Sequence, residues 1–163
     1  MILHNVMWSP YKIGTSPKLR SFHTNEGLGD RLRLIAFAER QAFHAFTEAI
    51  ARFDDAPTGL KEAWKWVALE EAKHESWLLK RLEAIGQDVS AVPVNLNLYY
   101  SLQKCQTPKD FALYISDAEE RGRIGAEKFA ETLITRDPET AEVFAKIAEE
   151  EKRHIDLVNQ FFL

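Results

Sequence analysis

Apolar side chains recur at intervals of three and four residues in four separate stretches of the chain. The first stripe runs Leu32, Ile35, Glu39, Ala42, Phe46 and Phe53, and the second Leu60, Trp64, Val67, Glu71, His74 and Leu78. A third reads Phe111, Ile115, Glu119, Gly122, Phe129 and Leu133, and a fourth Val143, Ile147, Glu151, His154 and Val158. This period predicts four amphipathic helices, each with a carboxylate inside its apolar face. Start and stop signals agree with it. Asp30 is expected to cap the first helix, and Gly86 to end the second. Thr107-Pro108-Lys109-Asp110 opens the third and Asp137-Pro138-Glu139 the fourth, each a capping side chain followed by proline.

The connections set the topology. A short turn, Asp54 to Gly59, separates the first two helices, and the link between the last two is equally brief. Each pair is therefore expected to be an antiparallel hairpin. About twenty residues, Gln87 to Gln106, lie between the hairpins. That length can cross a bundle from end to end, with a short extra helix near Leu98 to Lys104. The expected fold is an all-α, ferritin-like four-helix bundle: two antiparallel helical hairpins joined by one long crossover, spanning residues 30–163. Residues 1–29 carry Pro10, Gly14, Pro17, Gly27 and Gly29 without a period. They read as an irregular N-terminal arm, whose Trp8, Tyr11 and Phe22 are expected to pack on the bundle.

Composition narrows the functional classes. A chain of 163 residues suits one domain that buries roughly two-thirds of its unfolded surface. With a net charge of −4 it lacks the polycationic footprint that dominates nucleic-acid affinity. The single cysteine, Cys105, excludes an intrachain disulfide and a four-cysteine metal knuckle. It also fits a reducing, cytoplasmic location. The opening MILHNVMWSPYKIG is too interrupted for a signal peptide, and no apolar run approaches a membrane span.

The chemistry concentrates in Glu71-Ala72-Lys73-His74 and Glu151-Lys152-Arg153-His154. A spacing of three puts each Glu-x-x-His pair on one helical face, offering a carboxylate that can bridge two metals and an imidazole that binds one. With 17 glutamates in the chain, either motif alone carries little weight; the shared register carries more. Glu39 precedes Glu71 by 32 residues, as Glu119 precedes Glu151, and Glu39/Glu119, Glu71/Glu151 and His74/His154 are each 80 apart. One Glu from each of two helices and Glu-x-x-His from each of the others is the ligand set of di-iron and di-manganese bundles. Four carboxylates facing one core would cost several kcal/mol each if unpaired. Two divalent cations cancel that charge, and oxygen and imidazole donors suit iron or manganese. Register favours Glu119 over the adjacent Glu120, which falls beside Ser116 and Arg123. Glu70 and Glu150 are expected to be solvated, the alternative being hydrogen bonds to the ligand histidines. His44 is expected to be a packed or surface residue, and His4 and His23 are assigned no role.

The stretches AERQAFHAFTEAIARFDDAP, ALEEAKHESWLLKRLEAIG, AEERGRIGAEKF and IAEEEKRHIDLV resemble the ferritin-like di-iron carboxylate superfamily. Within it the chain is most similar to the ferritin-like family catalogued as domain of unknown function 455. A more distant likeness, through Glu119-Glu120-Arg121-Gly122, is to the tRNA-modifying di-iron hydroxylase. The resemblance implies two iron ions, or manganese, with Glu39, His74, Glu119 and His154 as terminal ligands and Glu71 and Glu151 bridging. It further implies an O2-activating oxidase or monooxygenase, taking electrons from a donor and acting on a small organic or tRNA-nucleoside substrate. A ferroxidase or a rubrerythrin-like peroxidase acting on peroxide, and a non-enzymatic bundle stapled by metal, are the alternatives. A homodimer is compatible with all three. Tyr99, Tyr100, Trp64 and Trp66 are either core or walls of a substrate pocket.

Overall fold

The structure, a computed structural model, describes residues 6–163; His4 lies outside them. Four long helices, α1 (Asn25–Arg52), α2 (Thr58–Ala84), α4 (Pro108–Leu133) and α5 (Pro138–Phe162), form an all-helical bundle, and a short α3 (Asn97–Gln103) lies in the crossover. Gly29 meets Gln87, Arg40 meets Glu75 and Phe53 meets Trp64, so α1 and α2 run antiparallel. Ser116 against Ile155 and Phe129 against Phe144 do the same for α4 and α5. The end of α2 lies near the start of α1, whereas Phe111 at the start of α4 packs on Phe46 and Phe53 near the end of α1. The crossover therefore travels the length of the bundle. Among the described residues, no helix is long and apolar enough to cross a membrane.

Helix ends follow local chemistry at three of the four expected points. The Thr107 hydroxyl accepts from Asp110 N at 3.1 Å and the Asp137 carboxylate from Thr140 N at 3.1 Å, each ahead of a proline. Gly86, at φ 75°, adopts the left-handed conformation just past α2. The first helix departs from expectation: it starts at Asn25, with Thr24 as its cap accepting from Gly27 N at 3.0 Å. Asp30 instead lies inside the helix, gripped by the Arg20 guanidinium at 2.7 Å and by Arg33 at 3.3 Å. Gly27 and Gly29, which read as breakers, are helical because the chain passes close beside them. A Cβ on Gly27 would sit 1.8 Å from the Ser21 carbonyl oxygen, and one on Gly29 would sit 2.8 Å from Gln87. Trp8 and Tyr11 of the arm are buried, and Gly14 N and Val94 N exchange hydrogen bonds with Val94 O and Lys12 O at 2.9 Å.

The core comes in two halves. One gathers Trp8, Leu32, Phe37, Leu78, Leu82 and Phe144; the other gathers Phe46, Phe53, Trp64, Val67, Phe111 and Ile115. Along every long helix the change from one half to the other falls at the same level, which holds Glu39, Glu71, His74, Glu119, Glu151 and His154. Hydrophobic burial on either side fixes the four helices and so presents a polar belt across the middle of the bundle.

Candidate metal centre

All six residues singled out by register meet in that belt. Ligand-capable atoms of Glu39, Glu71, His74 and Glu151 lie within 4.8 Å of one another, and so do those of Glu71, Glu119, Glu151 and His154. Glu71 and Glu151 belong to both groups, while each group has one further carboxylate and one imidazole of its own. His154 Nδ1 is 3.0 Å from Glu71 Oε1 and 3.4 Å from Glu151 Oε2. His74 Nδ1 is 3.3 Å from Glu151 Oε1 and 3.7 Å from Glu71 Oε2.

These atoms are buried and without hydrogen-bond partners. Both carboxylate oxygens of Glu71 and of Glu151, Glu119 Oε1 and the Nδ1 atoms of both histidines are in that state; outside the cluster only Arg52 Nε shares it among the described residues. Such orphaned groups are rare in native interiors and demand a partner. A buried carboxylate and imidazole set of this kind can hold a metal ion.

Crowding shows in the proton affinities. Burial, then repulsion from Glu71, Glu151 and Glu119, holds the Glu39 carboxyl well above the usual carboxylate range. The Glu119 carboxyl is raised likewise, by burial and by Glu151 and Glu71. Burial would raise Glu71 too, but Glu39, His154 and His74 around it pull it below the usual range. Burial opposes charging of the imidazoles, yet the carboxylates of Glu151 and Glu71 outweigh it, taking His74 up to about 9 and His154 up to about 12. Protons thus take the place that cations would fill.

The outer nitrogen of each histidine is held from the opposite helix. His74 Nε2 on α2 donates to Glu150 Oε2 on α5 at 2.7 Å, and His154 Nε2 on α5 donates to Glu70 Oε2 on α2 at 2.8 Å. With its Nε2 proton committed, each ring points Nδ1 inward, where a metal would take the place of the Nδ1 proton. Glu70 and Glu150 are therefore not merely solvated. A signal was present in the chain, since Glu-Glu-x-x-His recurs at the same 80-residue offset as the other site residues. Lys73 Nζ lies 2.7 Å from Glu150 and 3.5 Å from Glu70, and Arg153 is 2.8 Å from Glu70, which closes this side of the belt with charge.

The other side is apolar. A cavity of about 120 Å3 between α1 and α4 is lined by all four carboxylates and otherwise by small or aliphatic residues, among them Ile35, Ala38, Leu98, Ala118 and Gly122. Neither histidine reaches it. A wider, open groove of about 670 Å3 beside Arg40, His44 and Glu75 touches none of the six residues. The aromatic residues considered as pocket walls are elsewhere. Trp64 is core, Trp66 lies 5.5 Å from the His154 ring on the charged side, and Tyr99 bonds to Glu48 at 2.8 Å. Tyr100 is exposed. His44 is half-buried against Trp8 and Phe43. Glu120 turns outward to Arg123 at 2.7 Å.

Fold and site together define an all-helical bundle with a buried glutamate and histidine cluster able to hold a metal ion. The chain belongs to the family described as "Protein of unknown function (DUF455)", which it matches over residues 7–163. No curated protein and no solved structure matches it.

Proposed function

We propose that this ferritin-like protein is a non-haem di-iron oxidase or monooxygenase acting on a small organic or nucleoside-like substrate. Glu71 and Glu151 would be shared between two metals, Glu39 with His74 would hold one of them, and Glu119 with His154 the other. Membership of both bridging carboxylates in two overlapping four-residue groups supports this assignment. Iron in this donor set supplies electrons to O2 and a template that orients it. Hydroxylation of a C–H bond consumes O2, two protons and two electrons from a donor and yields the alcohol and water.

The chain's own residues divide the work by side. Glu70 and Glu150 hold the imidazoles in one tautomer, and with Lys73 and Arg153 they form a polar route for protons. On the opposite side, aliphatic residues from α1 and α4 exclude water from the carboxylate face.

The observation that carries an organic substrate, as against a ferroxidase or a peroxidase, is that apolar cavity against the four carboxylates. Iron or peroxide as substrate would call for a wet, polar approach. The test is to load the protein with ferrous iron without air and then admit O2. Uptake on the order of one O2 per chain, with growth of ferric absorption, is expected for a two-electron step at two irons. Absence of uptake by metal-loaded protein would sink the oxidase and leave a peroxidase or a metal-stapled bundle.

A further inference from the structure

We propose that the α1–α4 cleft binds an uncharged, chiefly hydrocarbon group of the substrate, and that Gly122 keeps its entrance open. This deepens the oxidase reading and rests on it for the meaning of the site, though not for the binding itself. Glu71 and Glu151, which form the floor of the cleft, are nine-tenths buried or more and have no partner for any carboxylate oxygen. The proposed metals answer those oxygens, and the aliphatic walls in front of them are left for a substrate to fill.

The chemistry of the walls selects the occupant. Apart from the four carboxylates, no lining residue has a hydroxyl, amide or charged side chain. The surrounding backbone is helical, with its N–H and C=O groups bonded within α1, α4 and α5. Away from the metals an anion finds no hydrogen-bond donor among the lining side chains, and a phosphate neither arginine nor lysine. With two dications neutralising the carboxylates, an ammonium group would lose its water for nothing. An aliphatic group loses nothing on entering.

Size limits it further. A cavity of about 120 Å3 has room for on the order of ten non-hydrogen atoms. Whole ligands of drug size usually take about 300–1,000 Å3. The cleft therefore admits part of a substrate, a chain or ring of several carbons, while a polar remainder stays at the mouth.

Gly122 has no packing reason to be glycine. It lies in the middle of α4, its φ is not positive, and a Cβ there would meet nothing within 4 Å. Glycine inside a helix is unfavourable beside almost any other residue. Its neighbour Gly125 has the same open surroundings but does not line the cleft. The difference makes Gly125 a control: a side chain at 122 narrows the entrance, and one at 125 does not.

The experiment titrates manganese-loaded protein with 1-hexanol and 1,6-hexanediol by calorimetry, in wild type, Gly122→Leu and Gly125→Leu. Hexanol should bind wild type, and the diol, which must carry a second hydroxyl into the cleft, should bind about tenfold more weakly. Gly122→Leu should weaken hexanol about tenfold by filling the entrance, with Gly125→Leu within about twofold of wild type. Manganese should broaden the hexanol methyl resonance more than its CH2OH resonance. Failure of hexanol to bind, equal binding by the diol, or unchanged affinity in a folded, metal-replete Gly122→Leu protein would each overturn the proposal. If hexanol binds as expected but the protein takes up no manganese and broadens neither resonance, the metal reading falls and the cleft stands.

Discussion

Replacing Glu70 or Glu150 with glutamine keeps the shape of the site and removes one charge behind one imidazole. Because the pairs cross between helices, in the proposed centre Glu70→Gln would act on the metal at His154, and Glu150→Gln on the metal at His74. Carboxylates that support metal-ligating histidines are worth roughly 10–100-fold in affinity, or about 1.4–2.8 kcal/mol. The two should not be equal. Glu150 Oε2 serves both His74 Nε2 and Lys73 Nζ at 2.7 Å, so part of its charge is already spent. On Glu70, Arg153 and Lys73 approach Oε1, leaving Oε2 to His154 at 2.8 Å. Glu70→Gln should therefore fall near the 100-fold end and Glu150→Gln near the tenfold end of that range. A manganese titration by calorimetry reads this directly, as two similar sites in wild type and one weakened site in each variant. Thermal stability of the metal-free proteins should also fall, by about 1–3 kcal/mol, since each variant weakens a charge-assisted hydrogen bond to a buried imidazolium. Two sites within twofold of wild type in both variants would refute the reasoning, for the crossed bonds would then be incidental.

Other outcomes are open to measurement. At neutral pH, His74 and His154 hold protons in the metal-free cluster, and Glu39 and Glu119 are raised toward the same state. Metal uptake in weak buffer should thus release at least about two protons per chain, with affinity climbing as pH rises; release of fewer than one would contradict the proton inventory. Arg40→Met strips the buried Glu75 carboxylate of its contacts at 2.6 and 2.7 Å and frees the arm from Met7 O and Ser9 O. A loss of about 3 kcal/mol is expected by urea unfolding, at the low end for a buried pair because Arg40 is partly exposed, and less than about 1 would refute it. Alanine should have opposite effects at two glycines. Gly27→Ala forces the Ser21 carbonyl away and should cost about 1–3 kcal/mol, whereas Gly122→Ala should gain about 0.5–1 kcal/mol.

The sequence disclosed most about the site where the information was local or repeated. A Glu-x-x-His pair fixes two side chains on one helical face whatever the rest of the chain does. The 32- and 80-residue offsets then tie four helices into one register, and all six residues meet as that register requires. Caps at Thr107 and Asp137 are equally local, and both are formed. What escaped depends on neighbours distant in sequence. Glu70 and Glu150 precede their own ligands by one residue and so point away from them, which reads as solvent on a single helix. Only the antiparallel contact of α2 with α5 turns each toward the other helix's histidine. The start of α1 at Asn25, ahead of Asp30, has a related cause: Gly27 and Gly29 look like breakers until the arm and Gln87 are seen pressed against them. The cleft was invisible too, because it is made of what Ala38, Ala118 and Gly122 lack.

Whether six side chains hold two metals is decided by counting metal in protein purified from iron- and manganese-supplemented cells. About two ions per chain are expected in wild type, as the donor set requires. Glu71→Ala and His154→Ala, which remove a bridging and a terminal ligand, should carry less than about one while remaining folded. Wild-type protein without metal, or variants with undiminished content, would contradict the account.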